Sequence, residues 1–319
     1  MGFTGAMLVA MAVDTLLGWP NALFVRIGHP VTWLGGLIGA LDARWNRASD
    51  TPGKRRLAGV VAALIVIALA AGAGWLVQQA MPSDWRGVVL IGVLAWPLVA
   101  LRSLYDHVAA VRDPLCAGAI ETARKAVSMM VGRDPDQLDE TGVARAAIES
   151  LAENTSDGVV APLFWGALFG LPGIAGYKAI NTLDSMIGHR DERHEAFGWA
   201  AARIDDVANF IPARLTGFIL AFASDLENVS RAMSCLIRDG RRHRSPNAGW
   251  PEAAMGGALG VRLGGPRTYD GELVAEPWLN GMARDPEPDD VSEAIEIYTR
   301  AMLIVAGLMA FIGFGLAIE

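Results

Sequence analysis

The stretch 149-ESLAENTSDGVVAPLFWGALFGLPG-173 joins three carboxylates and an asparagine to an apolar run that carries no charge until Lys178. The apolar part is long enough for a membrane helix, which needs about 20 mostly apolar residues. Its last third is broken by Leu171-Pro172-Gly173. A helix interrupted at membrane depth is tolerated only where its freed backbone lines a cavity or is buried in protein. We therefore expect 158–177 to be re-entrant or a helical hairpin, so that 149–157 and 178–206 share one face of the membrane.

The rest of the chain agrees with an all-α, polytopic membrane protein. Of 319 residues, 52% are hydrophobic and only 19% charged, against roughly 25% charged in an ordinary soluble domain. The apolar runs predict one membrane-embedded domain, 1–319, with spans at about 3–19, 57–78, 87–103 and 301–318. A second broken segment at 207–224 contains Pro212 and Arg214. Arg26, Arg44, Arg47, Lys54, Arg55 and Arg56 make 20–56 a cytoplasmic segment by the positive-inside rule. The basic stretches in 104–157, 178–206 and 225–300, notably 238-RDGRRHR-244, assign those segments to the same side. Asp14 interrupts the first apolar run, either as a functional intramembrane acid or as an interfacial cap. The N-terminus lacks a basic region and reads as a retained helix rather than a signal peptide. A net charge of −7 argues against nucleic acid, and Cys116 and Cys235, far apart, read as reduced thiols.

Arg145, Glu149, Glu153 and Asp157 fall four apart, which in a helix makes one stripe. The two acid–acid neighbours repel in a bare helix. Either a divalent cation offsets that repulsion, since one or two carboxylates plus substrate phosphates are the usual Mg²⁺ set, or the stripe is a solvated face ending in a cap. In 178-KAINTLDSMIGHRDERHEAFGWAAARIDD-206, Lys178, Asn181, Asp184 and Ser185 follow helical spacing. Arg190 and Arg193 add phosphate donors, and Asp205, Asp206 and Asn209 form a second acidic group. Acids for a metal around bases for phosphates suit a metal–nucleotide site. His189 and His194 have the wrong spacing for a shared zinc, and no P-loop motif is present. The Gly- and Pro-rich stretch 245–281 reads as a loop, either bearing substrate contacts or acting as a packing lid.

The blocks 153-ENTSDGVVAPLFWGALFGLPG-173, 177-YKAINTLDSMIGHRDERHEAFGWAAARIDD-206, 210-FIPARLTG-217 and 245-SPNAGWPEAAMGGALGVRLGGP-266 resemble the CobD/CbiB family. So do 14-DTLLGWP-20 and 29-HPVTWLG-35, and the order of the blocks covers most of the chain. The resemblance implies an inner-membrane adenosylcobinamide-phosphate synthase, dependent on ATP and Mg²⁺. Such an enzyme joins the free carboxylate of adenosylcobyric acid to the amine of aminopropanol or its phosphate. It would lie in membrane lipid, its active face cytoplasmic, and could hand its corrinoid product to later membrane-bound enzymes. On that chemistry Lys178, Asn181, Arg190 and Arg193 would hold the transferring phosphoryl group, and Glu149, Glu153, Asp157, Asp205 and Asp206 the Mg²⁺. Asp184 or Glu153 would accept the amine's proton, and Arg203 or Arg214 would face the second substrate's phosphate. The rival readings are a Mg²⁺-dependent membrane prenyl- or phosphotransferase, suggested by Asp205-Asp206-x-x-Asn209, and a non-enzymatic membrane sensor or scaffold.

Overall fold

A computed structural model describes residues 2–130, 138–189, 191–269, 272–274 and 276–318. Arg133 and Arg190 fall outside these residues. The described elements are helices α1 (Phe3–Leu17), α2 (Asn21–Ile27), α3 (Pro30–Trp45), α4 (Pro52–Gln79), α5 (Trp85–Ala95), α6 (Leu101–Cys116), α7 (Ile120–Val127), α8 (Glu140–Asn154), α9 (Ala161–Phe169), α10 (Leu171–Ile187), α11 (Trp199–Ala208), α12 (Phe210–Ala223), α13 (Val229–Asp239), α14 (Gly249–Leu259) and α15 (Pro288–Ile318). Two short antiparallel ribbons complete them: β1 (Leu263–Gly264) pairs with β4 (Trp278–Leu279), and β2 (Arg267–Tyr269) with β3 (Glu272–Val274).

Among the described residues three stretches are long and apolar enough to cross a membrane, Pro52–Gln79, Trp85–Cys116 and Pro288–Gly315, or up to five if each of two bent helix pairs is one span. The protein is a polytopic helical membrane protein. The run at 3–19 holds α1, a helix of 15 residues, about 22 Å at 1.5 Å per residue, which together with α2–α3 is apolar enough for a broken span. It ends at Gly18-Trp19-Pro20, where the chain turns by 107° into α2–α3.

The chain forms two compact units from interleaved segments. The first comprises Met1–Ala100, Ala161–Asn209 and Leu308–Glu319, the second Leu101–Val160 and Phe210–Gly307. In the first unit α4 is the central element, packed by α3, α10 and α11, while α1 packs on α5 and α9. Small residues dominate its core: Ala62, Ala63 and Val66 of α4 meet Ala179, Leu183 and Ile187 of α10 and Ala200 and Ala201 of α11. Small side chains let helix backbones approach closely, the usual solution where lipid removes a hydrophobic drive.

The segment at 161–177 is a tight helical hairpin. Gly170 takes a positive φ of 70°, which glycine adopts at no steric cost. α10 folds back on α9 so closely that a Cβ on Gly173 would overlap the Trp165 carbonyl oxygen. The break therefore falls at Gly170, one residue before the Leu-Pro-Gly triplet, and Pro172 sits in the first turn of α10, where its missing N–H costs nothing. Likewise the 207–224 segment breaks at Asn209, and Pro212 is accommodated in the first turn of α12.

In the second unit α14 is buried along its whole length and packed by α8, α12 and α13. This revises the loop expected over 245–281: its first half is a core helix. Pro251 lies in the first turn of α14, and its glycines are contact points with α13, Gly257 meeting Ala232 and Cys235.

Candidate functional site

In the first unit Lys178, Asn181, Asp184 and Ser185 lie along one side of α10, as their spacing predicts. Asp184 is half-buried. Burial pushes its carboxyl above the ordinary carboxylate value; His189 opposes this and the negative charge of Asp206 adds to it. Asp206 belongs to α11 and pairs with Arg203 at 2.8 Å. Lys178 stands close enough to His29 for its charge to act on that ring. His29 caps α3, its Nδ1 accepting from the Val31 amide at 3.2 Å. A ring nitrogen that accepts carries no proton, so His29 presents Nε2–H as a neutral donor.

The adjacent acids of 205–206 have different surroundings. The Tyr177 hydroxyl donates to Asn209 Oδ1 at 2.8 Å, and the Asn209 amide donates to Asp205 Oδ2 at 3.0 Å. Tyr177 and Asn209 are buried, so this chain of bonds ties α10 to the end of α11 and orients Asp205. Asp206 is left on the side that acts on Asp184.

The loop after α10 is pinned to α3 and α4. Arg193 donates to Asp42 from Nε at 3.1 Å and from Nη2 at 2.5 Å. The Arg193 carbonyl accepts from Asn46 at 2.9 Å and from Arg55, which also reaches Asn46 Oδ1 at 2.7 Å. His194 lies 2.9 Å from Asp191 and 3.7 Å from Asp42. The His194 hydrogen bond holds the Asp191 carboxyl below its ordinary value. The structure thus engages Arg193, expected at the phosphate, in fastening this loop through a half-buried ion pair. Arg190 lies outside the described residues.

In the second unit Glu149 is buried at the inner end of the stripe and accepts from the Gly264 amide at 2.7 Å, fastening β1 to α8. Arg145 pairs with Asp285 and lies over the Trp278 ring at 4.9 Å. Glu153 is exposed, and Asp157 half-buried. Between them the helix changes character: Thr155–Val160 is π-helical. The wider turn shifts Asp157 off the regular four-residue stripe, and π segments of this kind recur at functional sites. The buried Ser156 hydroxyl in this turn has no hydrogen-bond partner among the described residues, an orphan that calls for a ligand or water. Arg214 belongs to this unit, at the start of α12.

Among the described residues no three His, Cys, Asp or Glu side chains converge as a ready-made metal cage. Mg²⁺ does not require one, since it commonly takes one or two carboxylates and keeps waters and substrate phosphates as its other ligands. Exposed Glu153 and half-buried Asp157, flanking the orphan Ser156 hydroxyl, fit that set.

A family model described as CobD/Cbib protein matches residues 7–298. The chain belongs to the CobD/CbiB family. A protein of Rhodobacter capsulatus named "Cobalamin biosynthesis protein CobD" is 60% identical over 313 residues, covering 97% of this chain and 98% of its own. Proteins of the same name from Brucella suis biovar 1 and Sinorhizobium fredii are 47% and 45% identical, each match covering at least 94% of both chains. No solved structure matches the chain.

For this CobD/CbiB family member the structure adds residues that spacing alone left without a role. His29 and Trp19 sit in the two N-terminal blocks and meet edge-to-face at 4.9 Å. Their blocks stand more than 140 positions before Lys178, so only the fold brings His29 to it. Asp42 and Asn46 carry no signal of their own beyond helix periodicity. Tyr177 could have been noted, being next to Lys178, but the residues before it, 171-LPGIAG-176, carry no charge and read as apolar core.

Proposed function

We propose that the chain acts in cobalamin biosynthesis as an ATP- and Mg²⁺-dependent acid–amine ligase of the bacterial inner membrane, its active face cytoplasmic. It would join the free carboxylate of adenosylcobyric acid to the amine of aminopropanol or aminopropanol phosphate. The observation that carries the reading is the α10 face, where a carboxyl with a raised proton affinity, Asp184, lies on the same helix as Lys178, less than two turns further along. Amide formation asks for both. A carboxylate at pH 7 is a poor electrophile and needs activation, most simply as an acyl phosphate. Lys178 would neutralise charge on the transferring phosphoryl group, where fixed cations contribute most, with His29 Nε2–H and Asn181 as neutral donors beside it. The attacking amine must lose a proton, and Asp184 would take it; a base works best when its pKa approaches the operating pH. On the second unit Glu153 and Asp157 would hold Mg²⁺, the ion that neutralises and orients nucleotide phosphates. Arg203 would face the second substrate's phosphate.

The test is product formation. Membranes containing the protein, given adenosylcobyric acid, Mg-ATP and each amine in turn, should yield a new amide detectable by mass; no amide with any amine refutes the proposal. Two variants then refine it. Glu153→Gln should raise the Mg²⁺ concentration needed for half-maximal rate by at least about tenfold. Asp206→Asn should move the acid limb of the kcat/KM profile to lower pH: Asp184 acts only when deprotonated, and the variant removes a negative charge that raises its pKa. His189→Gln removes an influence of opposite sign, so the limb should move to higher pH.

A further inference from the structure

The second unit carries a pair of arginines that the ligase chemistry leaves over. The Arg214 guanidinium lies 3.6 Å from the Phe210 ring centre and 4.6 Å from that of Trp250. Arg241 lies over the same Trp250 at 5.9 Å. Both like charges therefore share one indole, near enough to repel each other. Arg214 donates to the Phe210 carbonyl at 2.6 Å and to Asn247 Oδ1 at 3.1 Å, both uncharged acceptors. Neither arginine forms an ion pair among the described residues, whereas their neighbours do: Arg238 and Arg242 reach Asp239, and Arg244 reaches Glu276. Two guanidiniums that share one indole and pair with no carboxylate among the described residues form a site for an oxyanion, most naturally a phosphate.

What lies next to the pair selects the source of that phosphate. Phe210, Ile211, Leu215, Phe218 and Phe222 are all exposed. At 100° per residue they fall with Arg214 on one stripe of α12, while Pro212, Ala213, Thr216, Gly217, Ile219 and Leu220 face the protein. From Phe210 to Phe222 the stripe runs about 18 Å, close to the ~15 Å hydrocarbon depth of one leaflet. The basic pair sits at the N-terminal end of this strip, with aromatic rings around it, as at a headgroup level.

We propose that Arg214 and Arg241 hold the phosphate of an anionic phospholipid whose acyl chains lie along the exposed face of α12. Two uncompensated positive charges favour a headgroup with net negative charge over a zwitterionic one. The site is separate from the ligase reading and would hold if that reading failed. Arg214, expected from its sequence context at the second substrate's phosphate, here takes the same chemistry from the membrane.

The full-length protein, purified in mild detergent and delipidated, should bind phosphatidylglycerol at least tenfold more tightly than phosphatidylcholine by native mass spectrometry. Arg241→Gln, at an exposed side chain making no hydrogen bond among the described residues, should bring the two lipids within about twofold. Arg214→Lys keeps a charge but loses the planar stack, and should lose most of the preference. Thermal melts of the delipidated variants monitor folding separately. Equal binding of the two lipids by the native chain, or an undiminished preference in Arg241→Gln, overturns the proposal. So does displacement of phosphatidylglycerol by millimolar aminopropanol phosphate or inorganic phosphate, which would give the site to a soluble anion.

Discussion

Asp184→Asn should lower kcat for amide formation by roughly 10²–10⁴-fold, the usual contribution of a positioned general base, with the KM values of both substrates little changed. The amide keeps the size and the hydrogen-bonding reach of the carboxylate but cannot take a proton. The loss should therefore appear in the chemical step and leave binding intact. Its fold should tolerate the change, because the native carboxyl is already disfavoured as an anion by its burial. Lys178→Met makes the complementary measurement: removing the ammonium should raise the ATP requirement and lower kcat together, since it would meet the phosphoryl group before and during transfer. Single-turnover analysis with preformed acyl phosphate separates the two roles. Asp184→Asn should remain slow when the activated acid is supplied, whereas Lys178→Met should recover in part. If Asp184→Asn kept full activity, the proton would go elsewhere and the assignment of Asp184 as the base would fall.

The parts of this molecule that were legible in the sequence are those governed by local periodicity. The apolar run of α4 and the terminal one in α15 declare themselves by length alone, and the Lys178–Asn181–Asp184 face follows from 3.6 residues per turn. The Leu-Pro-Gly triplet marks the neighbourhood of the break between α9 and α10, but the pivot is Gly170, because a positive φ, not the proline, makes the reversal. Three features were hidden, for separate reasons. The π turn at Thr155–Val160 preserves a helical composition while changing the phase, so no pattern of four can reveal it. The core helix α14 has the Gly and Pro content of a loop because it packs backbone against backbone, where side chains would obstruct. The clamp of Asp42, Asn46 and Arg55 on Arg193 spans about 140–150 positions, and a charged 188–198 loop looks the same in sequence whether its arginines await a phosphate or bind their own chain.

That clamp makes the second large effect a matter of packing. Gly59→Ala should destabilise the protein, whereas Gly72→Ala in the same helix should not. Gly59 is buried on α4 where the chain after α10 crosses it, and a Cβ there would overlap the Phe197 carbonyl oxygen. Backbone cannot rotate away as a side chain can, so α4 and the 188–198 loop would have to separate. Overpacking a close contact costs about 1–3 kcal/mol, a large share of a stability of about 5–15 kcal/mol. The first turns of α4 would lose more than that one contact. Arg55 holds the Arg193 carbonyl and Arg56 stacks on the Trp199 ring at 3.6 Å, so a displaced loop weakens both. Gly72 has nothing within 4 Å of its would-be Cβ, and there alanine gains about 0.8–1.0 kcal/mol of helix propensity. Thermal melts in one detergent should place Gly59→Ala well below the native chain and Gly72→Ala level with or above it. Equal melts would mean that the loop yields without cost. Arg55→Ala separates the remaining possibility: it releases the Arg193 carbonyl without any overlap, so a smaller loss of stability with a comparable loss of ligase activity would show that the loop's position, and not the core of α4, is what the α10 site depends on.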